Sequence, residues 1–196
     1  HTIAVIGKTS TNRLVRLSAL YHDVGKPRTR AIGDAGVSFH HHEVVGARMT
    51  RERMKALKYS SEDVEAVSRL VFLHLRFHTY KMGWTDSAVR RFVRDAGDLL
   101  PELIELTRCD CTTRNERKAQ ELAKRMDELE ARIEDLLTRE ELASMRPDLD
   151  GNAVMNYLGL TPGRDVGDAL DFLLELRLEE GPLGEDEAKK RLDAWW

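Results

Sequence analysis

Apolar residues recur every three or four positions along most of the chain and alternate nowhere for long, so the pattern predicts helices and no substantial sheet. Asn12 can cap a helix over 12–23, with Leu14, Leu17, Leu20 and Tyr21 as its apolar face. Gly25, Pro27, Gly33 and Gly36 punctuate a loop over 24–40, and any sheet is expected there, as a short hairpin within 28–39. A helix is expected from near His42 to about Lys58, with Val45, Met49 and Met54 inward. Ser60 or Ser61 caps the next, roughly 62–77, in which Val64, Val67, Leu70, Val71 and His74 share a face. Thr85 or Asp86 opens another, where Ala88, Val89, Phe92, Val93 and Ala96 pack and Arg90, Arg91 and Arg94 are expected to face out. Pro101 suits a helix start, and Leu103, Leu106, Thr107 and Asp110 follow at steps of three and four.

From Asn115 to about Met145 the pattern becomes one long charged helix. Leu122, Met126, Leu129, Ile133 and Leu136 form a narrow stripe of the kind seen in coiled coils, expected to pack on the chain's own helices. Three short helices follow, around 151–158, 165–180 and 185–195, separated by Gly159, Pro162-Gly163 and Gly181-Pro182. The expected organisation is therefore all-α: a helical bundle over 1–114, a linking helix over 115–146 and a helical tail over 147–196. Trp195 and Trp196 read as a packing anchor for the last helix.

Charge changes the picture along the chain. Residues 1–118 hold 21 Lys and Arg against 14 Asp and Glu, whereas residues 119–196 hold 10 against 20. The basic part has the sign needed to face phosphates, and equally that of an ordinary solvated surface. No stretch approaches the roughly 18 apolar residues of a membrane-spanning helix, and Cys109 and Cys111 are too close in sequence for an unstrained disulfide. Both cysteines read as reduced fillers of a cytoplasmic protein, and a first residue of His rather than Met reads as a fragment or a processed chain.

Candidate chemistry begins at "LYHDVGKPRT", residues 20–29, where an apolar run ends on His22-Asp23 and breaks at Gly25-Lys26-Pro27. A cation that activates water needs a few oxygen and nitrogen ligands converging from several elements. His22 and Asp23 supply one of each at a helix end. Asp110 and His74 lie on apolar faces, where a carboxylate without a partner is costly to bury. His1 precedes the apolar "TIAVI", and His40-His41-His42 precedes Glu43. Singly, each has a plain reading as a hydrogen-bonded core histidine or a surface residue.

In order along the chain, His1, His22-Asp23 and Asp110 match the H…HD…D signature of HD-domain metal-dependent phosphohydrolases, and "HDVGKP" is similar to that family's HD-x-GK-P segment. Further stretches, "GVSFHHHEVVGARM", "LVFLHLRFH", "WTDSAVRRFVRDAG", "CDCTTRN" and "RPDLDGNAVMNYLGLTPGRDVGDAL", resemble the C-terminal part of bacterial, particularly actinobacterial, CCA-adding tRNA nucleotidyltransferases. The resemblance runs from His1 to Trp196 and implies an HD domain over 1–114 and a tRNA-binding tail over 147–196. It implies that His1, His22, Asp23 and Asp110 bind a divalent metal (Mg, Mn or another transition metal). It places His42 and His74 where a second ion or the substrate phosphate is held, with Lys26 as a point charge on the phosphate. It makes tRNA the partner, beside a phosphate-containing small substrate at the metal; Arg90, Arg91, Arg94, Arg114, Arg117 and Lys118 are the candidate RNA contacts because they lie in the basic part of the chain. A stand-alone HD phosphohydrolase acting on nucleotides or cyclic phosphates is the other reading. The nucleotide-binding Gly-Ser loop and paired aspartates of that family's polymerase head have no match in residues 1–196. These residues are accordingly expected not to add nucleotides by themselves; labelled CMP or AMP appearing on tRNA with the purified chain would refute this.

Overall fold

The computed structural model describes residues 1–34, 36–79, 84–113, 115–140 and 146–196. In order these form α1 (Thr2–Ile6), α2 (Arg13–Tyr21), α3 (Lys26–Thr29), β1 (Ala31–Gly33), β2 (Gly36–Ser38), α4 (His42–Ala56), α5 (Ser61–Leu73), α6 (Arg76–Thr79) and α7 (Asp86–Ala96). A 3-10 turn (Gly97–Leu99) leads into α8 (Leu100–Asp110), then α9 (Glu116–Glu140), α10 (Gly151–Leu158), α11 (Arg164–Glu180) and α12 (Glu185–Trp195). The all-α expectation holds. Among the described residues the sheet is one antiparallel hairpin, β1 with β2, in register Ile32 to Val37, inside the loop where it was expected.

The chain divides into two compact units, one of His1–Gly83 with Asp95–Glu128 and one of Trp84–Arg94 with Leu129–Trp196. This division cuts across the expected boundaries at 114 and 146: residues of α7 go with the second unit, and α9 contributes to both. The tail end of the expected long helix, 141–145, lies outside the described residues.

In the first unit the predicted caps are in place. The Asn12 side chain accepts from the Leu14 and Val15 N–H groups, and the Ser60 hydroxyl from Asp63 N–H, each satisfying donors that a helix start leaves unpaired. Met54, Val64, Val67 and Val71 form a core against which Leu14, Leu17, Tyr21 and Ala47 pack. The buried face of α2 is only partly the one expected: Leu14, Leu17 and Tyr21 pack half-buried on this core, but the fully buried stripe lies beside them. Val15, Ser18, Ala19 and His22 point inward, while Leu20 is 48% exposed. The spacing 15, 18, 19, 22 is a helical stripe that ends on His22. On α8 the same spacing, Leu103, Leu106, Thr107, ends on Asp110. On α5 the buried Val67, Leu70 and Val71 lead to His74, which caps the helix three residues earlier than the expected run to 77. Three helices thus end their buried faces on a polar residue.

Glycine closes this arrangement at one point. A Cβ on Gly25 would lie 2.2 Å from the His42 carbonyl oxygen and 2.8 Å from the Gly46 amide nitrogen. The "HDVGKP" turn therefore packs backbone to backbone on the first turns of α4, whose inward residues are His42, Gly46, Thr50 and Met54, with Val45 and Met49 only half-buried.

In the second unit Leu129, Ile133 and Leu136 of the long helix are buried, as the narrow stripe required. Leu149, Val154, Val166, Ala169, Leu173, Ala188 and Leu192 form the tail's core, and Trp195 stacks on Phe172 at 4.9 Å. Trp196 is 58% exposed, so the anchor is Trp195 alone. Arg90 does not face out. It is buried, gives two 2.8 Å hydrogen bonds to the Glu140 carboxylate and donates to the carbonyls of Leu178 and Glu179 at 3.1 Å each. A guanidinium so engaged holds α7, α9 and α11 together and is not offered to a phosphate.

Two outcomes follow from this packing. Arg90→Ala leaves Glu140 buried without its partner and is expected to cost about 3–5 kcal/mol in urea unfolding. Gly25→Ala forces its methyl into the α4 backbone, and a loss on the order of 1–3 kcal/mol or more is expected by the same measurement.

Candidate metal centre

Helix ends supply the site. The last carbonyls of a helix lack intrahelical donors. The His22 ring Nδ1 lies 2.8 Å from the Ala19 carbonyl and the His74 Nδ1 lies 2.6 Å from the Val71 carbonyl, each three residues back in a last turn. His42, the first residue of α4, does the same with the Phe39 carbonyl at 2.8 Å. A carbonyl can only accept, so these three rings carry their proton on Nδ1. Their Nε2 atoms then face inward. Those of His42 and His74 are buried and make no hydrogen bond among the described residues, which is the disposition of a ligand lone pair rather than of a satisfied core histidine.

The remaining groups converge on the same place. His1 Nε2 lies 2.8 Å from Asp110 Oδ1, 3.1 Å from His22 Nε2 and 3.6 Å from Asp23 Oδ2. His22 Nε2 is 3.3 Å from Asp110 Oδ1 and 3.4 Å from Asp23 Oδ2. His42 Nε2 is 3.4 Å from the other Asp23 oxygen, and Lys26 Nζ donates to Asp23 Oδ2 at 2.7 Å. Two trios share Asp23: His1, His22 and Asp23, and Asp23, His42 and His74; within each, one ligand atom per residue lies within 4.8 Å of the others. Mixed imidazole and carboxylate donors of this kind suit a divalent cation.

The electrostatics separate the histidines. Burial alone would depress the His22 imidazole, but hydrogen bonds to Asp110 and Asp23 outweigh it and push it up to about 10. Burial opposes ionisation of Asp23, yet His22 and Lys26 hold its carboxyl well below the usual carboxylate range. Asp110 is likewise lowered against its burial, by His22. His74 goes the other way: burial first, with the nearby His22 and His42 charges, takes it down to about 4, although the Val71 carbonyl favours the charged ring. His74 is thus neutral at pH 7, with a bare Nε2.

Every expected residue of the centre is brought together: His1, His22, Asp23, Lys26, His42, His74 and Asp110. Sequence reasoning missed Thr112, whose hydroxyl sits 2.7 Å from His1 Nδ1; its only signal was its place in "CDCTTRN". A cavity of about 580 Å³ in the same unit, lined among others by Arg13, Asp63, Arg69 and Asp98, shares no residue with the cluster. The basic candidates fare differently. Arg90 is buried, as above. Arg91 pairs with Glu175 at 2.9 Å and with Glu179, and Arg94 reaches Glu175 at 3.3 Å, so much of their charge is matched within their own unit. Arg117 and Lys118 are exposed, Arg117 pairing loosely with Glu121 at 3.3 Å. Arg114 lies outside the described residues.

Comparison with known proteins agrees with this geometry. Residues 3–137 match the family model of the HD domain, beyond the expected limit at 114. The chain is 37% identical over 171 residues to the A-adding tRNA nucleotidyltransferase of Deinococcus radiodurans, covering 84% of this chain and 37% of that protein. It is 37% identical over 185 residues to the CC-adding tRNA nucleotidyltransferase of Thermus thermophilus, covering 92% of this chain and 39% of that protein. The chain spans about two fifths of the length of these relatives. With more than half its length matched, and with the His and His-Asp residues of that signature gathered at one set of helix ends, the chain belongs to the HD-domain family.

Proposed function

We propose that this chain is the HD-domain and RNA-contacting portion of a tRNA nucleotidyltransferase, acting in tRNA 3′-end processing in the cytoplasm, and that its His/Asp cluster is a divalent-cation site for hydrolysis of a phosphoester. The observation that carries the reading is the convergence of His1, His22, Asp23, His42, His74 and Asp110 from five separate places in the chain. The similarity to two tRNA nucleotidyltransferases over most of the chain supports tRNA as the partner. No described helix is long and apolar enough to cross a membrane.

In this reading His1, His22, Asp23 and Asp110 hold the cation, Mg, Mn or another transition metal. The imidazole share of the donors favours a transition metal over magnesium. Bound there, a divalent cation supplies Lewis acidity and lowers the pKa of a coordinated water. The chain's own groups do the rest. Lys26 lies 2.7 Å from Asp23 and brings a positive charge to the edge of the cluster, where it neutralises a substrate phosphate. His42 and His74 offer bare Nε2 atoms to a second cation or to the phosphate, and their carbonyl-held Nδ1 protons keep the rings from turning. Asp110 fixes His22 and His1 against each other. For RNA, Arg117 and Lys118 at the start of α9 are the exposed phosphate contacts.

Asp23→Ala should abolish cation binding in calorimetry and any metal-dependent hydrolysis of a 2′,3′-cyclic nucleotide, while Asp110→Asn should weaken both. Retained hydrolysis in purified Asp23→Ala would sink the reading. A saturating cation should raise the melting temperature, with about 2.7 kcal/mol of stabilisation at 100 times Kd, and a chelator should reverse it.

Affinity should also depend on pH with a defined sign. His22 keeps its proton up to about pH 10, so a cation must displace it, and affinity should rise by up to about tenfold per pH unit between pH 6 and 9. The cation-free protein should show the opposite trend from this group. The raised His22 pKa contributes stability that is full below its unfolded value near 6.5 and is lost as pH climbs towards 10. Calorimetric titrations and urea unfolding across that window test both slopes.

For the RNA contacts, Arg117→Glu with Lys118→Glu should weaken tRNA binding in filter assays and flatten its salt dependence by roughly two phosphate contacts. An unchanged slope would remove these residues from the interface.

A further inference from the structure

Four imidazoles face the cluster, and three of them are oriented by main-chain carbonyls: Ala19 for His22, Phe39 for His42 and Val71 for His74. His1 is held differently. Its Nδ1 meets a side chain just beyond the end of α8, the Thr112 hydroxyl at 2.7 Å, while its Nε2 faces Asp110 at 2.8 Å. The backbone explains how residues 110 and 112 reach the two nitrogens of one ring. Cys111 has φ −63° and ψ 60°, and Thr112 N–H donates to the Asp110 carbonyl at 2.5 Å. These are the dihedrals and the bond of an inverse γ-turn. The turn stops α8 and swings Thr112 back alongside Asp110.

We propose that Thr112 is a positioning residue for the cation site: when a cation takes the His1 Nε2 in place of its proton to Asp110, the Thr112 hydroxyl accepts from the His1 Nδ1–H, so that His1 is held in the Nδ1-protonated form that the carbonyls favour in the other three rings. The inference rests on the reading of the cluster as a cation site. The geometry asks for such a residue. His1 has the most exposed ring of the ligand set, 38% against 0% for His22. A ring at that exposure is not fixed by packing alone, and a hydrogen bond to the non-ligating nitrogen fixes both its orientation and its tautomer. A threonine hydroxyl accepts as well as a carbonyl does. With Asp110 on the other side, the γ-turn holds His1 between two residues of one segment.

The test compares the chain with Thr112→Val, which keeps the side chain's shape without its hydroxyl, and Thr112→Ser, which keeps the hydroxyl. Zn²⁺ is the probe because it is diamagnetic and accepts mixed nitrogen and oxygen ligands. In calorimetry Thr112→Val should bind Zn²⁺ about tenfold or more weakly, and Thr112→Ser should return to within about threefold of the parent chain. Melting of the cation-free proteins should differ little, since one half-exposed hydrogen bond is lost. In long-range ¹⁵N–¹H spectra of the Zn²⁺-loaded parent chain, the His1 proton should sit on Nδ1. Thr112→Val binding Zn²⁺ like the parent, Thr112→Ser failing as badly as Thr112→Val, or the His1 proton on Nε2 in the loaded parent chain would each overturn the proposal. The spectrum of the parent chain decides the matter even if Thr112→Val does not fold. Failure of the parent chain itself to bind Zn²⁺ or Mn²⁺ overturns the cation site and this inference with it, whereas the other failures leave the cation site standing.

Discussion

The first unit depends on how its helices stop. A helix that ends in a protein interior leaves carbonyl oxygens without donors, and those carbonyls must be met by something. Here α2 and α5 are met by the rings of their own capping histidines, His22 and His74. That one bond has three effects. It satisfies the helix end, it selects the ring tautomer, and it leaves the other nitrogen pointing away from the helix. A helix C-terminus also carries a partial negative charge that favours a cation nearby. The ends of α2, α5 and α8, with Asp23 and Asp110 among them, therefore form an environment that suits positive charge even though it is largely buried.

Burial makes such a cluster demanding. Carboxylates and imidazoles removed from water are stable only if each has a partner. The partners are arranged in opposition: His22 is drawn towards its charged form by two carboxylates, and His74, a ring away at 5.5 Å, is driven to its neutral form by its burial and by the nearby His22 and His42 charges. Two histidines of one cluster thus hold different protonation states at neutral pH because of what surrounds them. Gly25 completes the arrangement from the backbone side, since only a residue without Cβ lets the turn after Asp23 lie on α4 and bring His42 within 3.4 Å of that carboxylate.

The second unit uses charge for a different end. Arg90, Arg91 and Arg94 sit on one basic helix, yet the acidic residues that follow them in the chain are their partners: Glu140, Glu175 and Glu179. The uneven distribution of charge between the two parts of the sequence is in this region an internal complementarity. Buried on both sides, the Arg90–Glu140 pair is a fastening between three helices rather than a surface for a partner. The positive charge left on the exposed start of α9, at Arg117 and Lys118, is of the kind that can meet a phosphate backbone.

Much of this protein was legible without coordinates. Helical periodicity gave the class, and capping residues gave the starts of α2 and α5, because both are local properties of a few neighbouring side chains. The order His1, His22-Asp23, Asp110 carried the resemblance to the HD domain. What periodicity could not decide was rotation: Leu14, Leu17, Leu20 and Tyr21 on α2 suggested one face, but the helix buries Val15, Ser18 and Ala19, leading to His22, keeps Leu14, Leu17 and Tyr21 half-buried and leaves Leu20 in water. Nor could it show that Arg90, polar by type and outward by pattern, finds a carboxylate and two carbonyls inside. Thr112 had no signal of its own, since its role exists only when a γ-turn sets it beside a ring 111 residues earlier in the chain. Local chemistry writes helices and their ends into the sequence; which ends meet, and what each polar group finds there, is settled by contacts between distant residues, and only the folded chain brings those together.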